Sequence, residues 1–166
     1  MKKLLAGLTV LLCASTASAA NDSVVLWKSI VGVITALNVD NPVNDIDSGT
    51  FAWSVRSGHA IVNLKTGQTS FAVQGLSING TVFSGTPGPV TEVTGTLVCN
   101  AGDATEVVLD TAEVPLGADG NASFSGNVGA IPSTCANPLF LIRIAVPAGA
   151  AGRWIATGAG RTFGSD

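Results

Sequence analysis

The chain has 166 residues, 46% of them hydrophobic and only 11% charged, with 8 basic side chains against 11 acidic ones. That length builds one domain with a real core, and the mild acidity argues against nucleic acid or anionic lipid as a partner, since both need clustered Lys and Arg. Long Glu-, Lys-, Leu- and Ala-rich runs are missing, whereas Gly, Val and Thr recur throughout, so strands and turns are expected rather than helices.

The first twenty residues read MKKLLAGLTVLLCASTASAA. Lys2 and Lys3 precede an apolar run over 4–12, and Ala17-Ser18-Ala19 supplies the small residues that signal peptidase accepts. The run is far shorter than the ~20 residues of a bilayer-spanning helix. Residues 1–19 are therefore expected to be a cleaved export signal, and 20–166 a single exported domain. Lipidation at Cys13 is the alternative, but Leu12 stands where that cleavage needs a small residue. Without Lys2 and Lys3, six basic side chains face the eleven acidic ones, a net charge of −5.

Residues 24–31 (VVLWKSIV) have strand composition. A helix over 24–37 is the alternative, because Trp27, Ile30, Ile34 and Leu37 also fall on one helical stripe; Gly32 and the Val/Ile content favour the strand. Residues 38–49 (NVDNPVNDIDSG) are too rich in Asn, Asp and Pro for regular structure. Asp40, Asp45 and Asp47, interleaved with Asn38, Asn41 and Asn44, offer the oxygen donors that calcium takes. Their spacing departs from the EF-hand pattern and lacks its distal glutamate, and such loops also form because Asx side chains bond their own backbone. These aspartates are the candidate calcium ligands, with a solvated loop as the simpler reading.

Further strands follow by alternation. Residues 50–55 place Phe51, Trp53 and Val55 on one face. His59 is expected in the turn 56–59, ahead of a strand over 59–65 with Ala60, Val62 and Leu64 inward. A hairpin turn at 65–68 leads into 70–76, where Phe71 and Val73 point one way. The two prolines of 84–89 (SGTPGP) mark a loop. A strand over 90–99 is followed by 106–116, which Pro115 ends or confines to an edge. Asp119-Gly120 carries a hairpin signal into 122–128, with Ala122, Phe124 and Val128 on one face. Residues 139–146 (LFLIRIAV) are apolar on both faces apart from Arg143, which suits a central strand covered on its outer side as well, with the Trp27 strand as candidate cover. Arg143 itself should snorkel or meet an acid across the sheet. Residues 153–157 close the fold. Together these runs predict an all-β chain, an antiparallel, immunoglobulin-like β-sandwich of about 8–9 strands. A faint echo links 81–85 (TVFSG) and 122–126 (ASFSG).

Once the leader and Cys13 are removed, Cys99 and Cys135 are the only cysteines. In an oxidising compartment they read as one structural disulfide. It would tie a strand end to a strand entry and close a loop of about 37 residues, worth about 3–4 kcal/mol in loop entropy. A reactive thiol would want a neighbouring His, a CxxC spacing or a basic setting. The single histidine, His59, and the wide cysteine spacing offer none of these.

Catalytic signatures are thin. There is no Gly-x-Ser-x-Gly elbow, and one His with two oxidised cysteines argues against a zinc site, which needs three or four His, Cys or acidic ligands. Glu92, Glu106 and Glu113 are scattered, although paired carboxylates would suit glycoside hydrolysis. Arg153-Trp154 is a candidate sugar-binding platform, although Trp154 beside Ile155 and Ala156, like Trp53 between Phe51 and Val55, reads first as a core residue.

The runs VVLWKSIVG, GTPGPVTEVTGTLVC, NPLFLIRIA and GRWIATG resemble a group of small secreted bacterial proteins to which no activity is assigned. The resemblance covers most of the exported domain. It implies a single exported β-domain with a Cys99–Cys135 pair and transfers no catalytic residue. The expected function is a non-enzymatic binding or structural module, secreted or periplasmic, with an extracytoplasmic protein or glycan as partner. A calcium- or carbohydrate-binding domain and a hydrolase with paired carboxylates are the alternatives.

Overall fold

A computed structural model describes residues 23–146 and 150–164. The expected leader, with Cys13, lies outside the described residues. Among those described, the chain forms eleven strands and no helix: β1 (Val24–Gly32), β2 (Trp53–Ser54), β3 (Ser57–Asn63), β4 (Gln68–Gln74), β5 (Ser77–Ile78), β6 (Glu92–Cys99), β7 (Val107–Asp110), β8 (Val114–Pro115), β9 (Ala122–Asn127), β10 (Leu139–Val146) and β11 (Ala150–Gly164). β2, β5 and β8 are two-residue pieces, and the total of eleven exceeds the 8–9 strands expected. No helix among the described residues is long and apolar enough to cross a membrane.

The expected all-β antiparallel class holds, but the strands do not divide into the two sheets of a sandwich. Hydrogen bonding runs unbroken through β7-β6-β10-β11-β1-β3-β4-β9, with β8 pairing β6 below β7, and only β2 and β5 form a separate ladder. This one sheet curls into a half-barrel. The curl shows in the aromatic side chains: Phe71 on β4 and Phe140 on β10 stand four strands apart in the sheet, yet their rings are 5.8 Å apart. Trp27 lies 5.5 Å from Phe140, and Phe124 lies 6.0 Å from Phe71. Twist accumulating across many strands brings the two halves face to face, and this row of four rings fills the space between them.

Two strand glycines make room for those rings. A Cβ on Gly95 would lie 2.7 Å from Phe71 and 2.8 Å from Phe140, and one on Gly158 would lie 2.5 Å from Trp27. Glycine inside a strand commonly marks such a close approach. The alternation read from sequence holds for Ala60, Val62, Phe71, Val73 and Ala122, and Val25, Leu97 and Ile142 are buried with them.

β1 confirms the strand reading of its segment and explains the helical stripe. Its inward positions are Val25 and Trp27, then Ile30, because both Lys28 and Ser29 are exposed. The phase slips opposite Gly160, which has φ +64, and an interval of three mimics a helical step. The stripe's remaining members, Ile34 and Leu37, lie beyond the strand and are exposed.

β10 is central, between β6 and β11. β1 does not cover its outer face as expected; it lies in the same sheet, on the far side of β11. Phe140 and Ile142 point inward, and Leu141, which points the other way, is buried too. Arg143 meets the acid foreseen for it, Asp110 on β7 at 3.5 Å, and donates from Nε to the Gly152 carbonyl at 2.7 Å.

Three local expectations need correction. The Asp119-Gly120 turn does form, with Gly120 at φ +75 and its N–H bonded to Gly117 O at 2.8 Å, but it joins no hairpin. β8 pairs β6 while β9 pairs β4, so the turn carries the chain between the two ends of the curled sheet. His59 is not in a turn; it is exposed within β3, opposite Ala72. The echo of 81–85 and 122–126 is not structural, since the first is a loop of turns and the second belongs to β9.

The disulfide Cys99–Cys135 is present, with 36 residues of separation and Cα atoms 4.7 Å apart. It fastens the buried end of β6 to the loop that enters β10.

Candidate functional site

Three surface regions bring together the chemistry-bearing residues, beginning with the Asx-rich loop 38–49. β1 leaves β11 after Gly32↔Ala156, and Ser48 takes the next place along β11 in a parallel bridge to Trp154. Trp154 N donates to Asp47 O at 3.0 Å, and Gly49 N donates to Trp154 O at 2.7 Å. Asn38 and Asn44 adopt positive φ, a conformation Asn tolerates better than most residues, which accounts for part of the loop's composition. The loop is a cover rather than a free strap: Ile46 belongs to the buried core, and Val43 packs against it.

The two weak site candidates from sequence turn out to be one structural clamp. The Arg153 guanidinium bonds Asp40, lies 3.7 Å from Asp47 and donates to Ser48 O at 2.8 Å. Trp154 is 5% exposed, and its indole N–H donates to Asn41 O at 3.0 Å. A ring so enclosed has no face on which a sugar could stack. The carboxylates of Asp40 and Asp47 converge on a guanidinium rather than on each other, and Asp45 is exposed. Among the described residues no three His, Cys, Asp or Glu side chains group as metal ligands. At the far side of the loop, Asn44 Nδ2 donates to Glu106 Oε1 at 2.8 Å, and Glu106 Oε2 accepts from Gly102 N at 2.8 Å. Glu106 is thereby an anchor for two loops. Glu92 and Glu113 are exposed on neighbouring segments, Glu92 in β6 opposite Pro115 and Glu113 just ahead of β8.

The second region is a cleft of about 650 Å³ beside the disulfide, lined by Asn100, Asp103, Thr105, Ser133, Thr134 and Asn137 among others. Asn100, at φ +55, organises it: Nδ2 donates to Thr105 O (3.1 Å) and Thr134 O (3.2 Å), and Oδ1 accepts from Ala136 N at 2.7 Å. The polar atoms of that amide are used to hold the walls. No histidine, cysteine or aromatic ring lines the cleft.

The third region, which sequence reasoning passed over, is an apolar end built by loops 34–39 and 79–86. Ile34 is 88% exposed, Val82 94%, Leu37 66% and Val39 53%, with Phe83 nearly half exposed. A groove of about 180 Å³ lined by Leu37, Phe51, Ala52 and Gly80 joins the two loops. Both are internally bonded. Thr81 N donates to Ser84 Oγ (3.0 Å), Phe83 N to Thr81 Oγ1 (3.0 Å), Gly85 N to Ile78 O (3.0 Å) and Asn79 N to Ala52 O (2.9 Å). On the other side, Val39 N bonds Ala36 O and Asn38 N bonds Thr50 O. The apolar tips are therefore held outward by backbone geometry. Single exposed hydrophobics are ordinary; here five stand on two loops that meet at one groove. The available signal was the failed helical stripe: Ile34 and Leu37 have no strand to belong to.

No family model, no characterised protein and no solved structure matches the chain. No residue role is transferred from a relative, and the geometry above stands by itself.

Proposed function

We propose that the protein is an exported, non-enzymatic binding module that engages a partner protein through the apolar end formed by loops 34–39 and 79–86. The observation that carries this reading is the joint exposure of Ile34, Leu37, Val39, Val82 and Phe83 on loops whose own hydrogen bonds keep them from collapsing inward. Preorganised apolar tips lower the entropic cost of association. Leu37 and Val39 run directly into the acidic loop, where Arg153 answers Asp40 and Asp47 and leaves an excess of negative charge. The partner surface that complements this end is an apolar patch flanked by Lys or Arg, not an anionic membrane. The two facing halves of the curled sheet serve as an immunoglobulin-like sandwich would, as a rigid body presenting loops at its ends. Export accords with the Cys99–Cys135 bridge, with the leader read at residues 1–19 and with the resemblance to small secreted bacterial proteins.

The test is the triple variant Ile34→Ser, Val82→Ser, Phe83→Ser, expressed with its leader and compared with the wild type in native extracts from outside the cytoplasm. The wild type is expected to migrate in a complex larger than the free chain, and the variant as the free chain with an unchanged melting temperature. A variant that stays in the same complex as the wild type sinks the reading.

A further inference from the structure

We propose that β9 is the pairing edge of a homodimer, joined antiparallel to β9 of a second copy of this chain about a two-fold axis through Ser125. This rests on the edge itself and is independent of the partner surface above. β9 ends the ladder: it pairs β4 from Gln68↔Asn127 to Val73↔Ala122. Among the described residues no strand pairs with its outer side, although β8 comes close to its first residues, with Pro115 beside Ala122 and Ser123. In an antiparallel strand alternate residues turn their N–H and C=O outward, so β9 presents a row of open backbone groups.

Natural sheets guard such edges with Lys, Pro, bulges or brevity. β9 has none of these devices. It is six residues long (ASFSGN), uncharged, free of proline and in unbroken register with β4, which is likewise uncharged (QTSFAVQ). The opposite edge is guarded: β7 has four residues and ends in Asp110, and β8 contains Pro115. With only one unguarded edge in this sheet among the described residues, pairing is isologous and closes as a dimer instead of propagating. The absence of charge matters here, because a two-fold sets the residue at its axis against its own copy and would turn a charge there into repulsion.

The side chains fit the same axis. Phe124 is only partly buried; its ring stacks on Phe71 and lies over Gly126 of its own strand. A two-fold normal to the sheet keeps the inner faces of both copies on one side, so residues of equal parity pair. An axis through Ser125 sets Phe124 opposite Gly126 of the second copy, an aromatic over a glycine, and Ser123 opposite Asn127. One strand pair buries less than the ~1,000 Å² of a stable interface, so the dimer is weak and concentration-dependent.

The experiment uses the purified full chain carrying Cys13→Ser, so that an added thiol is the only unpaired one. Paired Cα atoms in an antiparallel ladder are about 4.5–5.5 Å apart, within disulfide reach. Ser125→Cys is expected to cross-link to a covalent dimer under mild oxidation. Ser123→Cys, displaced from its copy by about 13 Å along the strand, should link several-fold less. Light scattering of the wild type should show a monomer–dimer equilibrium that Ser125→Lys, which sets two ammonium groups across the axis, abolishes without lowering the melting temperature. Equal linkage at both positions, no linkage at Ser125→Cys, or a wild type that stays monomeric at its highest soluble concentration would overturn the proposal.

Discussion

At Gly95 a hydrogen stands where any other residue would place a methyl group, and the rings of Phe71 and Phe140 fill the space it leaves. Substitution there overpacks a core whose ring row has no slack, a change that costs about 1–3 kcal/mol. Gly95→Ala should lower the melting temperature by several degrees, whereas Gly164→Ala, whose Cβ meets nothing within 4 Å, should leave it unchanged; thermal melts of both compare directly. Equal melts would mean that the two halves of the sheet do not press together as described. From sequence Gly95 looks like a weak point in a Val/Thr-rich strand, because the rings that need it lie 24 residues before it and 45 after it along the chain. Phe71 was placed on an inward face correctly, since alternation is a local property. Its meeting with Phe140 depends on the curl of the whole sheet, which no local pattern encodes.

Loops and strands differ in how much of them can be read in advance. Strands β3, β4, β6, β9 and β10 follow period-two burial or continuous apolarity, and their bounds fall close to those expected. The disulfide followed from compartment and cysteine number, and its loop is of a length that gives about 3–4 kcal/mol. What could not be read was connection. Asp119-Gly120 signals a turn but does not say which strands flank it in space, and here it links opposite ends of the sheet. Similarly, the Asx loop's composition fits calcium and self-bonded turns alike; Arg153, more than a hundred residues later, decides how its carboxylates are used. Removing that guanidinium should loosen the loop. Arg153→Ala loses a half-exposed ion pair and a bond to the Ser48 carbonyl, together about 1–2 kcal/mol. Hydrogen exchange should therefore quicken at residues 38–49, while millimolar calcium leaves the wild-type melting temperature where it was. A calcium-dependent rise that vanishes in Asp45→Asn/Asp47→Asn would return the loop to metal binding.

For the molecule as a whole, the sheet spends its apolar side chains on a shared interior and its loops on presentation. The disulfide, Glu106 and the Arg153 clamp each fasten a loop to the sheet or to another loop, so the body is stiff where it could have been mobile. Against that background the outward tips of Ile34, Leu37, Val82 and Phe83 stand apart, because hydrophobic groups on a well-bonded loop gain nothing for the isolated fold. The proposed partner, by covering them, would give those groups a role that folding does not. The most direct check is site-specific photo-cross-linking in the producing cell, with a benzophenone side chain at Val82 and, as control, at the exposed turn residue Thr66. The expected result is one discrete protein adduct at Val82 and none at Thr66. Absence of an adduct at Val82, or the same adducts at both positions, would contradict the account.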